Sequence, residues 1–520
     1  MKRHPIASSV ATMEQVSLGA LSGILRLPLV VTVCDEAPCH AALSELKGRA
    51  MRIAMVGSGY VGLTSGACLA QFGHDVTCID KVADKVASLR KGNIPIYEPG
   101  LDKLVVDNVR AGRLAFDTSL AEAVGNADAV FIAVGTPTRR GDGHADLTYV
   151  RSAAAEIAEA LRGYTVVVVK STVPVGTGRE VSRIIREARP EAEFDVVANP
   201  EFLREGAAIE DFMKPDRVII GVETNRARDV MAAIYRPLNL IQTPIVFTNI
   251  ETAEVTKYAG NAFLATKITF INEIADLCEK VGADVHDVAR GIGLDGRIGR
   301  KFLHPGPGFG GSCFPKDTLA LIYTARQANA PQTIVEQVIA VNDGRKKRMA
   351  QKVIEFCDGS VAGLTVGVLG LTFKPNTDDM RDAPSLDIVS ALEAAGAQIV
   401  AFDPEGMKEA AHLMPSITFA ESAYDAASGA DVLVVITEWP EFRGLDPRRL
   451  MQLMRRPRIV DLRNIFNPEE LLSLGFAYEG VGRRRVRTPP VINKLLGNNS
   501  KISPQDAELL GWSSRVSGSA

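Results

Sequence analysis

The chain has 520 residues, of which 46% are hydrophobic and 23% charged, a composition typical of a globular protein with two or three domains. Its 59 basic and 62 acidic residues are spread along the sequence, so the net charge of -3 provides no long-range field to attract nucleic acid or a membrane surface. Seven cysteines without CxxC spacing and seven scattered histidines argue against a disulfide framework and a metal site. We expect a small-molecule partner, no nucleic acid, no membrane, no metal and a cytoplasmic location.

The two ends of the chain differ from the rest. Residues 1–50 are interpreted as an N-terminal extension of unknown role. Their apolar stretch loosely resembles a signal peptide, but an arginine and a proline interrupt it and it is too short to cross a bilayer. Residues 483–520 are basic and then rich in serine and glycine, which predicts a loose C-terminal tail.

The first strong pattern begins at Met51, where an apolar run, a glycine-rich turn, a small-residue helix and a second apolar run ending in Asp80 follow one another. The turn reads Gly57-x-Gly59-x-x-Gly62, and such glycines permit a tight turn, backbone approach to a pyrophosphate, and close packing of helix on strand. Alone the pattern is weak, but the acid about twenty residues later suits the ribose hydroxyls. Because that carboxylate repels a 2′-phosphate, we predict NAD rather than NADP.

Further runs rich in Val, Ile and Ala have the length of parallel strands buried on both faces. They read ADAVFIAVGT, TVVVVKST and FDVVANPEF, with helical stretches between them. An open α/β sheet to about residue 222 follows, and we assign residues 51–250 to an NAD-binding domain with a Rossmann-like parallel sheet. Lys81 and Lys85 fit either phosphate contacts or a solvated helix face, and the sequence alone favours the solvated face.

Residues 251–290 carry no strand pattern and keep apolar residues at spacings of three and four, which predicts one long helix between two domains and a candidate dimer surface. We assign residues 251–356 to a central helical and dimerising region that includes a cysteine loop. Residues 357–482 contain a second set of strands, LTVGVLGLTF, AQIVAFDP, ADVLVVITEW and RIVDLRNIF, and are assigned to a second Rossmann-like domain.

The second domain repeats the order of the first, and Gly429-Ala430-Asp431 matches Asn126-Ala127-Asp128 before a strand. Its first turn, GLTFKPNTDDMRD, lacks the three-glycine spacing and contains Lys374 and Arg381 instead. This turn predicts a site that holds charged groups through side chains. Two nucleotide-like ligands facing each other across a cleft would result.

The stretch GPGFGGSCFPKD, from Gly306 to Asp317, places Cys313 between glycines and a Lys-Asp pair. Cysteine is among the most buried residue types, and inert packing is the default for Cys68, Cys78 and Cys278 in apolar periodic segments. Glycines cannot build a core but let backbone amides approach a ligand. Lys316 supplies a cation that favours thiolate, and Asp317 a possible base. The local pattern therefore favours a nucleophile over a core cysteine at position 313.

Several long motifs then resemble one family, the nucleotide-sugar dehydrogenases that act on UDP-glucose or GDP-mannose, and the chain is most similar to bacterial members. The resemblance extends from Met51 to about Gly482. Its motifs are GSGYVGL, STVPVGT, NPEFLREG, EVTKYAGNAFLATKITFINE, GRIGRKFLHPGPGFGGSCFPKD, LTFKPNTDDMRDAPS and DLRNIF. The two ends of the chain fall outside it.

The resemblance implies a four-electron oxidation of UDP-glucose to UDP-glucuronate, with two NAD used in turn at one site and no free aldehyde released. A base removes the hydroxyl proton as the first hydride leaves, and the cysteine thiolate traps the aldehyde as a thiohemiacetal. A second hydride transfer leaves a thioester, which water hydrolyses. The product suits polysaccharide biosynthesis.

The resemblance also implies roles for individual residues. The expected catalytic residues are Cys313 as nucleophile, Lys257 and Asn261 beside the reacting oxygen, Asp317 as base or water-positioning group, Glu201 as general base for hydrolysis, and Thr172 as a water ligand. The expected NAD contacts are Gly57, Gly59, Val61, Gly62, Asp80, Lys85, Thr136, Thr172, Glu205, Lys316 and Arg381. The expected UDP-sugar contacts are Phe202, Leu203, Arg204, Glu205, Lys257, Asn261, Arg297, Phe302, Leu303, His304, Pro305, Gly306, Gly310, Lys374 and Arg463. Arg297 is expected to reach into the site of a neighbouring subunit, so the resemblance predicts a homodimer or higher homo-oligomer.

Other interpretations stay open at this point. A sister enzyme that oxidises GDP-mannose or a UDP-N-acetyl-hexosamine would share the hydride chemistry and the cysteine. A non-catalytic nucleotide-sugar-binding protein would keep the fold, although the intact Cys, Lys, Asp and Glu set argues against it. Lys257 could be a solvated helix charge, and Arg381 and Arg463 could serve only in salt bridges.

Overall fold

The computed structural model describes residues 49–137, 139 and 145–483. Residues 1–48 and 484–520, which contain nearly all of the predicted extension and the predicted tail, lie outside the described residues. Within the described residues, two sheets flank a set of long helices, so the predicted α/β class with two Rossmann-like sheets is confirmed.

The first sheet is built from short, mostly branched segments. Its strands are β1 Arg52–Val56, β2 Asp75–Ile79, β3 Leu114–Asp117, β4 Ala129–Ile132, β5 Thr165–Val169, β6 Phe194–Ala198, β7 Val218–Gly221 and β8 Ile245–Thr248. They lie in the order β3-β2-β1-β4-β5-β6-β7-β8, and all neighbours are parallel except β6 and β7. Every residue of β4 and β5 is buried, as expected when helices cover both faces of a parallel sheet.

Eight helices accompany this sheet among the described residues. They are α1 Tyr60–Gln71, α2 Ala83–Arg90, α3 Leu101–Arg110, α4 Leu120–Gly125, α5 Thr148–Ala160, α6 Thr177–Ala188, α7 Ala208–Met213 and α8 Asn225–Ile234. A short 3-10 helix, Arg236–Ile241, precedes β8.

The central region consists of α9 Ile250–Val281, α10 Val285–Gly293, α11 Phe314–Gln327 and α12 Thr333–Phe356. The prediction of one helix over residues 251–290 is wrong at its end, because Gly282 adopts a left-handed conformation (φ 78°) that terminates α9. Asp284 then caps α10 by accepting a hydrogen bond from the His286 amide. In the part of the chain that the structure describes, no helix has both the length and the apolar character needed to span a membrane.

The second sheet repeats the build of the first. Its strands are β9 Thr365–Leu369, β10 Gln398–Phe402, β11 Thr418–Phe419, β12 Val432–Val435, β13 Arg458–Asp461 and β14 Ala477–Gly480. All of its paired strands are parallel, in the order β11-β10-β9-β12-β13-β14. Its helices are α13 Pro384–Ala394, α14 Met407–Leu413, α15 Ala423–Ala427, α16 Pro447–Leu453 and α17 Pro468–Ser473, with a 3-10 helix at Pro440–Gly444.

The two matching aspartates identified in the sequence perform the same task in the two sheets. The Asp128 carboxylate, just before β4, accepts a 2.9 Å hydrogen bond from the amide of Arg52, which begins β1. Asp431, just before β12, accepts a 3.0 Å bond from the amide of Thr365, which begins β9. Each carboxylate thereby joins the start of a central strand to the segment that precedes the neighbouring strand. The two domains, which the sequence predicts to be similar, share this hydrogen bond.

Five strands were not predicted, and the first sheet does not end near residue 222. One of them, β7, is a fully buried internal strand. The other four, β3, β8, β11 and β14, lie at the edges of their sheets, where β8 is only partly buried and β11 has two residues. Edge strands are covered on fewer sides, so they do not need the continuous apolar run that identified the central strands.

The glycine-rich turn between β1 and α1 has the local geometry that its spacing predicts. Gly57 has a φ of 102°, and a Cβ there would lie 2.7 Å from the Ala133 carbonyl oxygen. A Cβ on Gly62 would overlap the Gly57 carbonyl oxygen, so α1 packs directly on the turn. A Cβ on Gly59 would meet no atom within 4 Å, which leaves the N-terminus of α1 open to a ligand.

These contacts predict different changes in the melting temperature of the ligand-free protein when Gly62 and Gly59 are replaced by alanine. Gly62→Ala is expected to lower the melting temperature, because overpacking against backbone costs about 1–3 kcal/mol or more. Gly59→Ala is the matched control and should change the melting temperature much less, since its Cβ enters open space. Thermal unfolding of both variants checks this, and equal melting temperatures would contradict the packing role of Gly62.

Candidate active site

The cofactor end of the site is organised by Asp80, which directly follows β2. Its carboxylate accepts hydrogen bonds from the Ser58 amide at 3.1 Å, the Val82 amide at 3.1 Å and Lys85 Nζ at 2.7 Å. Burial raises the pKa of Asp80, but the Lys85 ammonium and the two amides outweigh it and hold the pKa below its ordinary value. An ionised carboxylate therefore lies beside the glycine turn, as NAD recognition requires.

The two lysines beyond Asp80 have different surroundings. Lys85 is paired with Asp80 and partly buried, so it is neither a free phosphate contact nor a solvated charge. Lys81 is exposed and pairs with Glu156, which agrees with the solvated face that the sequence favoured. Farther along the same edge, the predicted cofactor residue Thr136 donates a 2.9 Å hydrogen bond to the Thr172 carbonyl and thereby joins the ends of β4 and β5.

The second sheet has an acid at the equivalent place, but it cannot serve a ribose in the same way. Asp403 follows β10 and is fully buried. It accepts hydrogen bonds from the Leu371 and Thr372 amides at 2.7 and 3.0 Å and from the Trp439 indole at 3.1 Å. Internal donors thus occupy this carboxylate, and binding of a ligand through the side chains of the second turn stays a prediction.

The centre of the site is a buried ion pair between Lys257 on α9 and Glu201, which follows β6. Lys257 Nζ lies 3.0 Å from Glu201 Oε1, and the two side chains are 3% and 5% exposed. Burial opposes both charges, but each group stabilises the other, so the pKa of Glu201 lies below and the pKa of Lys257 above its ordinary value. Lys257 is therefore not a solvated helix charge.

One helical turn beyond Lys257, Asn261 connects α9 to α11. Its Nδ2 donates a 2.6 Å hydrogen bond to Asp317 Oδ2, while Lys316 Nζ donates to Asp317 Oδ1 at 2.6 Å. Asp317 is completely buried. The spacing of four residues on α9 thus places Lys257 and Asn261 on one face, as the sequence predicted, and both donate to buried carboxylates.

Cys313 lies directly before α11 and is half-buried. Burial is the largest cause that raises the pKa of its thiol to about 11, and the negative charges of Glu201 and Asp317 act in the same direction. The Lys257 ammonium lowers the thiol pKa. The thiol is therefore protonated at neutral pH in the ligand-free protein.

The prediction that Lys316 favours the thiolate is wrong in its assignment of the cation. Lys316 Nζ is bonded to the neighbouring Asp317 carboxylate, whereas the ammonium that lowers the thiol pKa belongs to Lys257. Proximity in sequence is not decisive here, because the Lys316 ammonium is bonded to the adjacent Asp317 carboxylate. The other cysteines among the described residues are buried, and these are Cys68, Cys78, Cys278 and Cys357.

The glycines before Cys313 serve close packing against other parts of the protein. A Cβ on Gly308 would lie 2.8 Å from Asn342 Oδ1, and one on Gly311 would lie 2.6 Å from the Phe373 ring. A Cβ on Gly310 would overlap the Asp382 carbonyl. The glycines thus let the cysteine loop approach the turn after β9, a reason that the sequence analysis did not anticipate.

Three polar residues that the sequence analysis missed hold this loop in place. Asn342 on α12 exchanges two hydrogen bonds with the backbone of Phe309, at 2.8 and 3.1 Å. The Asn272 side chain accepts from the Gly306 amide at 2.9 Å, and Arg345 Nε donates to the Gly306 carbonyl at 2.6 Å. The signal in the sequence was an arginine and two asparagines within amphipathic helices. Their burial could not be predicted, because the sequence alone does not show which face of each helix points to the core.

The residues expected to contact a UDP-sugar come together on three segments. Phe202 packs under the Arg217 guanidinium at 3.7 Å and lies 5.4 Å from Lys257 Nζ. Arg463, after β13, donates to the Ile436 carbonyl at 2.8 Å and pairs with Glu438 at 2.9 Å. A Cβ on Gly306 would lie 3.0 Å from Arg463 Nη1, so the second sheet reaches the cysteine loop here.

The remaining expected residues are less uniform in their surroundings. Arg204 is exposed and pairs with Asp211 at 2.6 Å, and Arg381 pairs with Asp379 at 2.8 Å and with Glu205 at 3.5 Å. Arg297 is 90% exposed and bonded to Asp295, so it makes no contact within its own chain's site. The half-buried residues are Val61, Leu203, Phe302 and Lys374, while Leu303 and Pro305 are buried and His304 is exposed.

A small cavity adjoins the ion pair on the side of the cofactor sheet. Its volume is about 10 Å³, which is enough for one water molecule, and its lining includes Thr172, Glu254 and Lys257. The residue expected to hold water, Thr172, thus lines a cavity of the right size beside the buried lysine. Among the described residues, no group of three or more His, Cys, Asp or Glu is arranged to hold a metal ion.

The fold and the cofactor turn together define the class: this is an NAD-dependent oxidoreductase with two sheets whose first six strands are parallel and share one order. The chain belongs to the UDP-glucose/GDP-mannose dehydrogenase family. Models of this family match residues 51–239 as the NAD binding domain, 251–344 as the central domain and 367–468 as the UDP binding domain.

Individual relatives agree with this assignment. The chain is 62% identical to a UDP-glucose 6-dehydrogenase from Rhizobium meliloti, over 83% of the chain and 100% of that protein. The structure of a UDP-glucose dehydrogenase from Pyrobaculum islandicum is similar with a TM-score of 0.77 and 39% identity, covering 84% of this chain and 99% of that one. A UDP-D-ManNAc dehydrogenase from Pyrococcus horikoshii matches with a TM-score of 0.73 and 26% identity, over 84% and 100% of the two chains.

The geometry around Asp80 predicts how the enzyme discriminates between cofactors. Asp80→Asn keeps the shape of the side chain but removes the negative charge, so the preference for NAD over NADP, as a ratio of kcat/KM values, is expected to fall by at least about tenfold, or about 1.4 kcal/mol. Glu156→Gln removes an exposed carboxylate nearby and should leave the ratio unchanged. An unchanged ratio in Asp80→Asn would show that another group excludes the 2′-phosphate.

Proposed function

We propose that this enzyme oxidises the C6 alcohol of UDP-glucose to the carboxylate of UDP-glucuronate, with two NAD reduced per sugar and a covalent intermediate on Cys313. The observation that carries the proposal is the position of one half-buried thiol beside the buried Lys257–Glu201 pair and the Asn261–Asp317 hydrogen bond. Similarity to UDP-glucose 6-dehydrogenases over most of the chain supports UDP-glucose as the substrate. Two oxidations at one carbon need a group that retains the aldehyde between them, and a thiol provides it.

NAD, when bound along the glycine turn and Asp80, accepts a hydride in each of the two oxidations. The open space at Gly59 and the ionised carboxylate at Asp80 fit such a cofactor. The protein must stabilise negative charge on the sugar oxygen, and Lys257 retains its ammonium for this role because Glu201 raises its pKa. Asn261 adds a second donor on the same face of α9.

Hydrolysis of the thioester needs a positioned water. Glu201 is ionised and next to the thiol, so it accepts a proton from the attacking water, and Asp317 and Thr172 orient that water. A cavity with room for one water molecule lies beside Thr172 and Lys257, next to the Lys257–Glu201 pair. Release of the acid returns the Cys313 thiol for another cycle.

The second sheet and the segments that approach it are proposed to hold the UDP-sugar. Lys374 and Arg463 supply cationic groups near the cysteine loop, and burial lowers the pKa of Lys374 while the Glu205 charge opposes the decrease. The Phe202–Glu205 segment and the Phe302–Gly306 segment form the sides of the sugar site. Cationic donors above an aromatic and glycine-lined pocket suit a diphosphate joined to a sugar.

A sister reaction on a UDP-N-acetyl-hexosamine is the second candidate. The 26% identical UDP-D-ManNAc dehydrogenase structure favours it only at the level of the shared fold. The higher identity to UDP-glucose 6-dehydrogenases favours UDP-glucose.

Stoichiometry and one substitution test the proposed reaction. With limiting UDP-glucose the wild-type enzyme should form two NADH per sugar, and GDP-mannose and UDP-N-acetyl-hexosamines should give much lower kcat/KM. Cys313→Ser should bind NAD and UDP-glucose but lose steady-state turnover by at least about 10³-fold, because an oxygen nucleophile cannot form the thioester.

Two results would contradict the proposal. A higher kcat/KM with another sugar nucleotide would change the substrate, while near-normal turnover of Cys313→Ser would exclude the covalent intermediate. Calorimetric binding of UDP-glucose to Cys313→Ser is the control for folding, since loss of binding would make the kinetic loss uninformative.

We also propose that the active unit is a homodimer formed through α9. Val255, Phe263, Phe270, Leu277 and Val281 are 42–66% exposed and follow one another at spacings of eight, seven, seven and four residues along this helix. Such a stripe of large apolar side chains is typical of a helix that packs on a partner. Arg297 is free of its own site and exposed, and its proposed role is to contact the sugar nucleotide of the neighbouring subunit.

Mixed dimers test whether Arg297 acts across the subunit boundary. Arg297→Ala and Cys313→Ser are each expected to be nearly inactive, but a dimer with one copy of each has one site with both the cysteine and the partner arginine. Co-expression with two affinity tags and purification through both should therefore restore measurable turnover. No recovery would mean that Arg297 acts in its own chain or that the dimer is not the active unit, and light scattering of the purified mixture separates these two cases.

A further inference from the structure

Ser312 lies between the Cys313 thiol and the Glu205 carboxylate. Its Oγ donates a 2.8 Å hydrogen bond to Glu205 Oε1 and lies 3.5 Å from Cys313 Sγ. A hydroxyl carries one proton, so when that proton points to the carboxylate, the contact with sulfur uses an oxygen lone pair and the thiol is the donor. Hydrogen bonds therefore run in one line from sulfur through the hydroxyl to the carboxylate.

The other carboxylates near the thiol are already engaged. Both oxygens of Glu201 accept from N–H donors, namely Lys257 and the Leu203 amide. Both oxygens of Asp317 also accept from N–H donors, namely Asn261 and Lys316. Glu205 differs, because its Oε1 accepts from the Ser312 hydroxyl and, at 3.5 Å, from Arg381 Nη2, while its Oε2 is buried and has no hydrogen-bond partner among the described residues.

The charges around Glu205 leave it able to accept a proton near neutral pH. Burial and the negative charge of Asp379 raise its pKa to about 7, while Ser312, Arg381 and Lys374 lower it. A base is most effective when its pKa lies close to the working pH. The charged groups that face the thiol itself are Glu201, Lys257, Asp317, Lys374 and Arg381.

We propose that Ser312 is a catalytic proton-relay residue, and that Glu205 receives the thiol proton through it when sulfur adds to the substrate aldehyde. The inference rests on the proposed function, since it requires a sulfur–carbon bond. Sulfur attacks the carbonyl carbon and the C=O π electrons move to oxygen. The thiol proton passes to Ser312 Oγ as the hydroxyl proton passes to Glu205 Oε1. Glu205 loses its negative charge and the sugar oxygen, beside the Lys257 ammonium, gains one.

The relay explains how a thiol with a pKa of about 11 becomes a nucleophile without a dedicated histidine. The proton moves only as the new bond forms, so no free thiolate needs to accumulate. The oxyanion left on the sugar then favours departure of the second hydride, because its electrons form the thioester carbonyl.

The test supplies the 6-aldehyde form of the sugar nucleotide with NAD, so that the measured reaction begins at sulfur addition. Ser312→Ala is expected to lower the single-turnover rate of aldehyde oxidation by about 10²-fold or more, with little change in NAD and sugar-nucleotide affinity. Ser312→Thr keeps the hydroxyl and should retain most of the rate. Thr318→Ala is the control, because its hydroxyl lies on α11, the helix that follows Cys313, and bonds to the backbone carbonyls of Phe314 and Pro315.

A double variant and a pH profile distinguish a relay from separate structural roles. If both residues act in one proton path, Ser312→Ala with Glu205→Gln should be no slower than the slower single variant, whereas independent roles would multiply the losses. The wild-type rate should fall as the pH decreases through about 7, because protonated Glu205 cannot accept a proton, and this acid limb should be absent in Glu205→Gln.

The outcomes separate the relay from the proposed function. A normal rate in Ser312→Ala, or multiplied losses in the double variant, would overturn the relay. If Cys313→Ser is inactive while Ser312→Ala is normal, only the relay is wrong. If Cys313→Ser turns over UDP-glucose normally, the covalent function is wrong, and the relay is then wrong as well.

Discussion

The buried ion pair between Lys257 and Glu201 is the interaction on which the rest of the site depends. It joins the central helix to the loop that follows β6, and removing one partner of such a pair typically costs about 3–5 kcal/mol because the other charge is left uncompensated. The pair also sets the electrostatics of the reaction. One member raises and the other lowers the pKa of the Cys313 thiol, so the position of each charge relative to sulfur matters more than the net charge of the site.

The two sheets show how one architecture can serve two different ligands. Both have the same order of their first six strands, and both use an aspartate to tie the starts of neighbouring strands. They differ where a ligand would meet the backbone. Asp80 lies beside a glycine turn with open space, whereas Asp403 is fully buried and occupied by internal donors. A small change in hydrogen bonding after the second strand is thus enough to change what the turn can recognise.

Much of this could be predicted from the sequence, because the strongest signals are local. The glycine spacing and Asp80 define the cofactor turn, and fully apolar runs identify the central strands. The spacing of Lys257 and Asn261 on one helix face also depends only on helix geometry. Edge strands were missed because partial burial leaves a mixed pattern, and α9 was predicted too long because one glycine in a helical stretch is a weak signal before its φ is known.

The remaining features depend on contacts between distant segments, which a single sequence does not reveal. The pairing of Lys316 with Asp317 and the effect of Lys257 on the thiol are examples, since the closest cation in sequence is not the effective one in space. Ser312 and Glu205 each lie in a motif that is recognisable in the sequence. They are 107 residues apart, so the hydrogen bond between them could not be predicted. The loop that carries Cys313 is similarly fixed by asparagines and an arginine from helices before and after it.

The protonated state of the Cys313 thiol has a consequence for the lifetime of the enzyme. Peroxides and electrophiles react with thiolates, so a sulfur whose pKa is about 11 is a poor target for oxidation to sulfenic acid between catalytic cycles. Cysteines with a low pKa in redox sensors are more reactive and lack this protection against oxidation. The nucleophile that we propose, activated only beside its own substrate, would combine catalytic use with chemical durability.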